Sequence, residues 1–159
     1  LPVAVCRPFN AYGPRQSARA VIATIACQLL QEQPRLKIGS LSPVRDFNYV
    51  ADTVDGFLAV AASRACIGEV INIGSGRGIT IGQTARLLMK ITGRRAEIEE
   101  DRARLRPERS EVMRLICGNK KALKLAGWKP RVTLEQGLAR TAEYVRAHLA
   151  DYKAGLYNV

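Results

Sequence analysis

A chain of 159 residues, 47% apolar and 25% charged, holds enough material for one domain with a core of its own, which excludes a disordered chain and a membrane-embedded one. Its longest apolar stretches, such as Val54 to Ala62, are too short and too interrupted to cross a bilayer; no signal peptide is visible, and the expected setting is the cytoplasm, with no membrane partner. The formal charge of +11 draws anions, with nucleic acid and phosphorylated small molecules as the two classes to weigh.

Leu1 opens directly into a strand-like run, which sets the expectation that the true beginning lies upstream. Pro2 to Arg7 reads as a buried strand stopped by Pro8, because Val3, Ala4, Val5 and Cys6 are small or β-branched and continuous. Phe9 to Gln16 is turn-rich and reads as a loop. Val21, Ile22, Ile25, Ala26, Leu29 and Leu30 recur at helical spacing, with Ser17 as the expected N-cap and Pro34 as the stop. Leu36 to Ile38 and Val44 to Val50 read as extended pieces. The next helix spans 51–63, with Val54, Phe57, Leu58 and Ala61 expected inward and Asp52 and Asp55 favouring the positive end of its dipole.

Glu69 to Ile73 reads as a strand running into Gly74-Ser75-Gly76. Thr80 with Gln83 forms a capping-box pattern that opens a helix carrying Ile81, Ala85, Leu88 and Ile91, closed by Gly93. Ala96 to Glu99 reads as a strand, and Asp101 to Arg114 as a charged, irregular stretch. Asn119 to Ala126 is a short helix stopped by Gly127. Thr133 with Gln136 repeats the capping box and starts a long helix with Leu134, Leu138, Thr141, Val145 and Leu149 inward. The tail, 151–159, is expected on the surface. Strands alternating with helices give an α/β class, and the strands are too few for a balanced doubly wound sheet.

The run Gly74-Ser75-Gly76-Arg77-Gly78 sits between a strand and a helix, where a dinucleotide-binding loop would sit. Its spacing is GxGxG rather than GxGxxG, and no acidic residue closes a strand ~20 residues on. A tight connection that needs positive φ fits better. The cysteines, Cys6, Cys27, Cys66 and Cys117, lack a CxxC pair and read as reduced, buried thiols, so no metal is expected. His148 is the only histidine; it reads as a surface residue, and no His-based triad can be built on it. What remains for chemistry is arginine. Arg45 in a short extended segment and Arg106 before Pro107 could each offer a bidentate fork to phosphate, or form a carboxylate pair or a solvated charge.

Four motifs in order then carry a resemblance over most of the chain. Arg7-Pro-Phe-Asn-Ala-Tyr-Gly-Pro14 resembles RxFNxYGP, Arg45-Asp-Phe-Asn-Tyr-Val-Ala-Asp52 resembles RDFxxVxD, and Asn72-Ile-Gly-Ser-Gly76 resembles NxGSG. Arg106-Pro-Glu with Lys121-Ala122 and Leu125-Ala-Gly-Trp-Lys-Pro130 resembles the RPxD…KAxxxLGWxP tail. These are signatures of the extended short-chain dehydrogenase/reductases acting on nucleotide sugars. The wording around Tyr12 and Arg45 is most similar to 4,6-dehydratases of legionaminic-acid-type sugar biosynthesis. Ala23, Asn48, Tyr49 and Glu108 depart from the usual pattern and blur which sugar and base are taken.

The resemblance implies that residues 1–159 are the substrate-binding C-terminal region of a Rossmann-type enzyme, with the last strands of its parallel sheet and without its N-terminal NAD-binding half. It implies substrate binding by Asn10, Arg45 and Arg106, the two arginines clamping the diphosphate of a nucleotide sugar. It implies nicotinamide backing by Pro8 and Phe9, NAD as cofactor and a homodimer in the full-length form, with Asp52 capping its helix rather than touching substrate. No tyrosine is followed by a lysine four residues on, so catalytic residues are not expected in this chain, and alone it should be inactive. The expected reaction is 4,6-dehydration, with 4-epimerisation as the alternative. A basic nucleic-acid-binding module or a non-catalytic scaffold is the reading of another class. Only 6% of residues are aromatic, and the arginines do not gather on one helix face, which argues against nucleic acid.

Overall fold

The structure, a computed structural model, describes residues 1–105 and 111–152. Most strand pairs are parallel and joined through helices, as the alternation in the sequence implies. β1 (Val5–Pro8) runs beside β6 (Val70–Ile73), with Val5 opposite Val70. β2 (Asn10–Tyr12) runs beside β5 (Phe47–Tyr49), and β3 (Arg35–Ile38) beside β8 (Glu97–Glu100), all parallel. Only β4 (Val44–Arg45) has two neighbours among the described strands: β7 (Ile79–Thr80), antiparallel, and β9 (Arg114–Leu115), parallel. The helices are α1 (Val21–Leu30), α2 (Val50–Ala62), α3 (Ile81–Thr92), α4 (Lys120–Ala126) and α5 (Leu134–Ala147). No helix among the described residues is long and apolar enough to cross a membrane.

The apolar stripes read from spacing build the larger core. Ile22, Ile25 and Leu29 of α1 meet Ala85 and Leu88 of α3 and Leu138 of α5, all at 0–1% exposure. Both capping boxes form: the Thr80 and Thr133 hydroxyls accept from the Gln83 and Gln136 amides, and the glutamine side chains reach back. Gly93 and Gly127 end their helices in the left-handed conformation, at φ 69° and 64°. A second core joins Ile71 and Ile73 of β6 to Val60 of α2, Ala122 of α4 and Trp128.

Several expectations are corrected. The strand at 2–7 is shorter, includes Pro8, and is not buried: Val3 and Val5 are 54% and 47% exposed, and among the described strands β1 pairs with β6 alone. The stretch 9–16 is not all loop, since Asn10–Tyr12 is a strand held by β5. Ser17 does not cap α1; the Ala20 amide bonds to the Ser17 carbonyl at 3.0 Å in a turn, and the helix starts four residues later. The 44–50 piece is split at Asp46 into β4 and β5.

The largest correction concerns α2. Its packed side is Asp52, Thr53, Gly56 and Val60, while Val54, Phe57 and Leu58 are exposed. The reason is close approach: a Cβ on Gly56 would lie 2.7 Å from Ile73 Cγ2 and 3.2 Å from Trp128 Cε2, so only the small face fits against β6. Asp52 lies in the first turn of α2, but its carboxylate reaches elsewhere, accepting the Val132 amide at 2.9 Å, while its carbonyl accepts Trp128 Nε1 at 3.0 Å. It ties α2 to the entry of α5 rather than capping its own helix.

Candidate functional site

One expected substrate-binding residue, Asn10, bonds to the chain neighbour of another, Arg45, and that neighbour is a residue that sequence reasoning passed over. Asp46, between β4 and β5, is fully buried. Its amide continues the ladder of β4 toward β9 by donating to the Leu115 carbonyl at 3.0 Å. Its carbonyl accepts Asn10 Nδ2 at 2.9 Å. One carboxylate oxygen accepts the Ser75 amide at 2.9 Å and the Ser75 hydroxyl. The other accepts the Gly76 amide at 2.8 Å and the Cys117 amide at 3.0 Å. A buried carboxylate is tolerable only with such donors in place.

This explains the glycine turn. Gly76 sits at φ 75°, as a tight connection requires, and a Cβ on Gly74 would lie 2.5 Å from Cys117 Cβ. The amides that would cradle a dinucleotide phosphate are turned instead onto the protein's own Asp46. The signal was present in the sequence, in an acidic residue amid an apolar extended run and a Gly-Ser-Gly turn with amides to satisfy.

Arg45, the neighbour of Asp46 along the chain, is held as firmly. Its Nη1 donates to the carbonyls of Val44 (3.1 Å) and Val112, and its Nη2 pairs with the Glu111 carboxylate. The two side chains are 12% and 17% exposed, the most buried ion pair among the described residues. Asn10 thus bonds to the backbone of the residue after Arg45, while the Arg45 side chain bonds to Val44, Val112 and Glu111. Pro8 closes β1 and is exposed; Phe9 is half-buried beside Gly74, its amide donating to the Ile73 carbonyl at 2.8 Å. Arg106 lies outside the described residues. A cleft of about 610 Å³ opens between the starts of α3 and α5, against Phe47 and Ser75, but neither Asn10 nor Arg45 lines it. His148 stacks on Tyr144 at 4.1 Å between ring centroids, with Nδ1 2.9 Å from the Tyr144 carbonyl, which gives it a role in closing α5.

Two buried thiols, one beside this scaffold and one in α1, are held in the protonated form by their surroundings. Burial, and then the Asp46 carboxylate, push the Cys117 thiol up to about 12; burial pushes that of Cys27 up to about 11. In the native protein at pH 8, a maleimide is expected to modify only Cys6, which is part-exposed, with Cys27, Cys66 and Cys117 labelling after unfolding. Mass spectrometry after brief labelling checks this; early modification of Cys117 would show that the Asp46 scaffold opens readily.

The chain matches known proteins over most of its length. The family model described as GDP-mannose 4,6 dehydratase matches residues 1–141. The chain is 34% identical to the GDP-6-deoxy-D-mannose reductase of Pseudomonas aeruginosa over 157 residues, covering 96% of this chain and 48% of that protein. It is 34% identical to the dTDP-D-glucose 4,6-dehydratase of Mus musculus over 158 residues, covering 96% of this chain and 43% of the other. Among solved structures, the UDP-glucuronic acid 4-epimerase of Bacillus cereus, in complex with UDP-glucuronic acid and NAD, superposes with a TM-score of 0.83 at 31% identity, covering 93% of this chain and 46% of that one. An epimerase of Methanothermobacter thermautotrophicus gives 0.84 at 30% identity, covering 94% and 45%. The chain therefore spans less than half the length of these relatives. With its motifs, its parallel α/β pairing and these matches, the chain belongs to the GDP-mannose 4,6-dehydratase family, within the extended short-chain dehydrogenase/reductases that act as nucleotide-sugar epimerases and dehydratases.

Proposed function

We propose that this chain is the substrate-gripping, C-terminal part of an NAD-dependent nucleotide-sugar 4,6-dehydratase, and that it holds the diphosphate of its substrate through Arg45, with Asn10 beside it. The observation that carries this reading is that both side chains are fixed at the β4–β5 junction, Asn10 by its bond to the Asp46 carbonyl and Arg45 by the Val44 and Val112 carbonyls and the Glu111 carboxylate. Such pre-positioning holds a bound sugar at reacting distance, a large share of catalysis in enzymes of this kind. Arg106, which lies outside the described residues, is the second arginine assigned to the clamp.

NAD, when bound, would supply the hydride acceptor and donor for the sugar. This chain fits only the margin of that site: Phe9, fixed by its amide bond to Ile73, offers an apolar backing, with Pro8 beside it. The turn at 74–76 offers NAD no phosphate cradle, since its amides serve Asp46. The work of these residues is therefore to bind and orient substrate, and the proton-transfer groups are assigned to the remaining half of the protein. Four free thiols suit a reducing, cytoplasmic setting.

The test uses the full-length protein with UDP-, dTDP- and GDP-sugars, following products by NMR. Appearance of a C6 methyl group supports dehydration; a C4 epimer with C6 intact would replace it by the epimerase reading. Arg45→Ala is expected to weaken nucleotide-sugar binding by about 2 kcal/mol or more, the scale of a lost charged hydrogen bond. Calorimetry checks this, and an unchanged affinity would remove Arg45 from the site.

A further inference from the structure

The guanidinium assigned to the substrate diphosphate already carries an anion of the protein's own. Arg45 Nη2 is paired with the Glu111 carboxylate, and Nη1 is engaged by the Val44 and Val112 carbonyls. Both charged side chains are largely withdrawn from water, so neither ion is screened as a surface pair would be. Among the described residues, Arg35 with Glu97 and Glu99, Arg94 with Glu32, and Lys121 with Glu69 stand on exposed positions, and Arg104 with Asp101, 20% and 27% exposed, is a local pair three residues apart. Glu111 is also distant in sequence, 66 residues from Arg45, so the pair is built by the fold rather than by local helix geometry.

We propose that Glu111 sets the affinity of this site as a displaceable internal anion: it occupies Arg45 in the free protein, and a substrate phosphate takes its place on the guanidinium. The inference rests on the reading of Arg45 as a diphosphate-binding residue. Its physical basis is competition for one fork. A guanidinium satisfies a carboxylate or a phosphate oxygen with the same N–H groups, and a phosphate placed beside a retained carboxylate would meet like-charge repulsion in a poorly hydrated place. Exchange removes that repulsion, and it keeps Arg45 from being left as a buried, unpaired charge between turnovers. The carboxylate holds the arginine in its working rotamer and lowers the net gain from phosphate, which favours release of a dianionic product.

Exchange also has a local consequence. Glu111 and Val112 enter β9, which is one of the two neighbours of β4, and the Val44 amide bonds to the Met113 carbonyl at 2.8 Å. When the carboxylate leaves Arg45, the start of this strand loses a side-chain anchor while its backbone bonds to β4 stay.

The experiment measures binding of inorganic pyrophosphate and of UDP, dTDP and GDP to the full-length protein, as wild type, Glu111→Gln, Arg45→Ala and the double variant. Glu111→Gln is expected to tighten the best-bound probe about tenfold. The same substitution on the Arg45→Ala background is expected to change nothing, since the competition needs the guanidinium. Weakened or unaltered binding by Glu111→Gln, with Arg45→Ala still harmful, would overturn the exchange and leave Glu111 as a group that only positions the arginine. If Arg45→Ala itself has no effect, or no probe binds, the diphosphate reading falls and the exchange falls with it. Should Glu111→Gln fold poorly, the wild-type protein gives the answer by carbon NMR of its glutamate carboxylates: saturation with the best-bound probe is expected to shift the Glu111 side-chain signal, and an unmoved signal overturns the proposal.

Discussion

Asp46→Ala is expected to destabilise the protein by about 4 kcal/mol or more, enough to leave a marginal domain largely unfolded. The substitution removes the acceptor of the Ser75, Gly76 and Cys117 amides and leaves the Ser75 hydroxyl only its long bond to the Arg77 carbonyl at 3.4 Å. The aspartate is fully buried, so no bulk water stands ready to replace the carboxylate. Each orphaned donor then bears its own desolvation cost, and hydrogen bonds to a carboxylate are the strong kind. Asp46→Asn keeps the shape but turns one amide nitrogen toward donors; it is expected to fall between wild type and alanine. Urea unfolding followed by circular dichroism measures both. A loss below about 1 kcal/mol for the alanine variant would mean that the donors find other partners, and that the carboxylate does not hold the site together.

Gly137→Ala is the second change with a large expected effect, and its sign runs against helix propensity. Alanine in the first half of α5 should help by about 1 kcal/mol on propensity alone. Yet a Cβ there would stand 2.1 Å from the Tyr12 hydroxyl oxygen and 2.9 Å from Tyr49 Cδ2. Neither ring can step aside. Tyr12 is 2% exposed, lies edge-on to Phe47 and Tyr49, and bonds through its hydroxyl to the Leu134 carbonyl at 3.2 Å. The helix must move off β5, and a net loss of about 2 kcal/mol is expected. Gly118→Ala is the control, because a Cβ there meets nothing within 4 Å. Equal melting temperatures for the two variants would show that α5 shifts without cost.

The contrast between these residues and the sequence reading shows where pattern suffices. The stripes of α1, α3 and α5 were legible because each helix buries one face, and spacing records that face directly. The capping boxes were legible because they are local, closed within three residues. α2 misled because it is apolar around much of its surface, and Gly56, rather than the larger side chains, decides which side meets β6. The strand at Asn10–Tyr12 was hidden because its pairing partner, β5, lies far along the chain while its own composition favours turns. In the candidate site, the motifs pointed to Asn10 and Arg45, but the groups that hold them did not show. Asp46 and Glu111 act through contacts spanning 29 to 71 residues, and no window along the sequence contains both ends.

Those spans carry a consequence for the order in which the molecule assembles. The Asp46 carboxylate is bonded to amides 29, 30 and 71 residues away, and its Arg45 neighbour to a carboxylate 66 residues away. Such contacts give nothing until the intervening chain has closed, so their entropic cost precedes their reward. The helices, whose bonds are local, are expected to be in place at the folding transition state, and the carboxylate's connections to form after it. Weakening the Asp46 connections should then act on the unfolding rate and hardly on the folding rate. The Asp46 junction would be the last part of the molecule to be completed and the first to loosen, which makes the lifetime of the native state, rather than the speed of reaching it, the quantity that Asp46 governs.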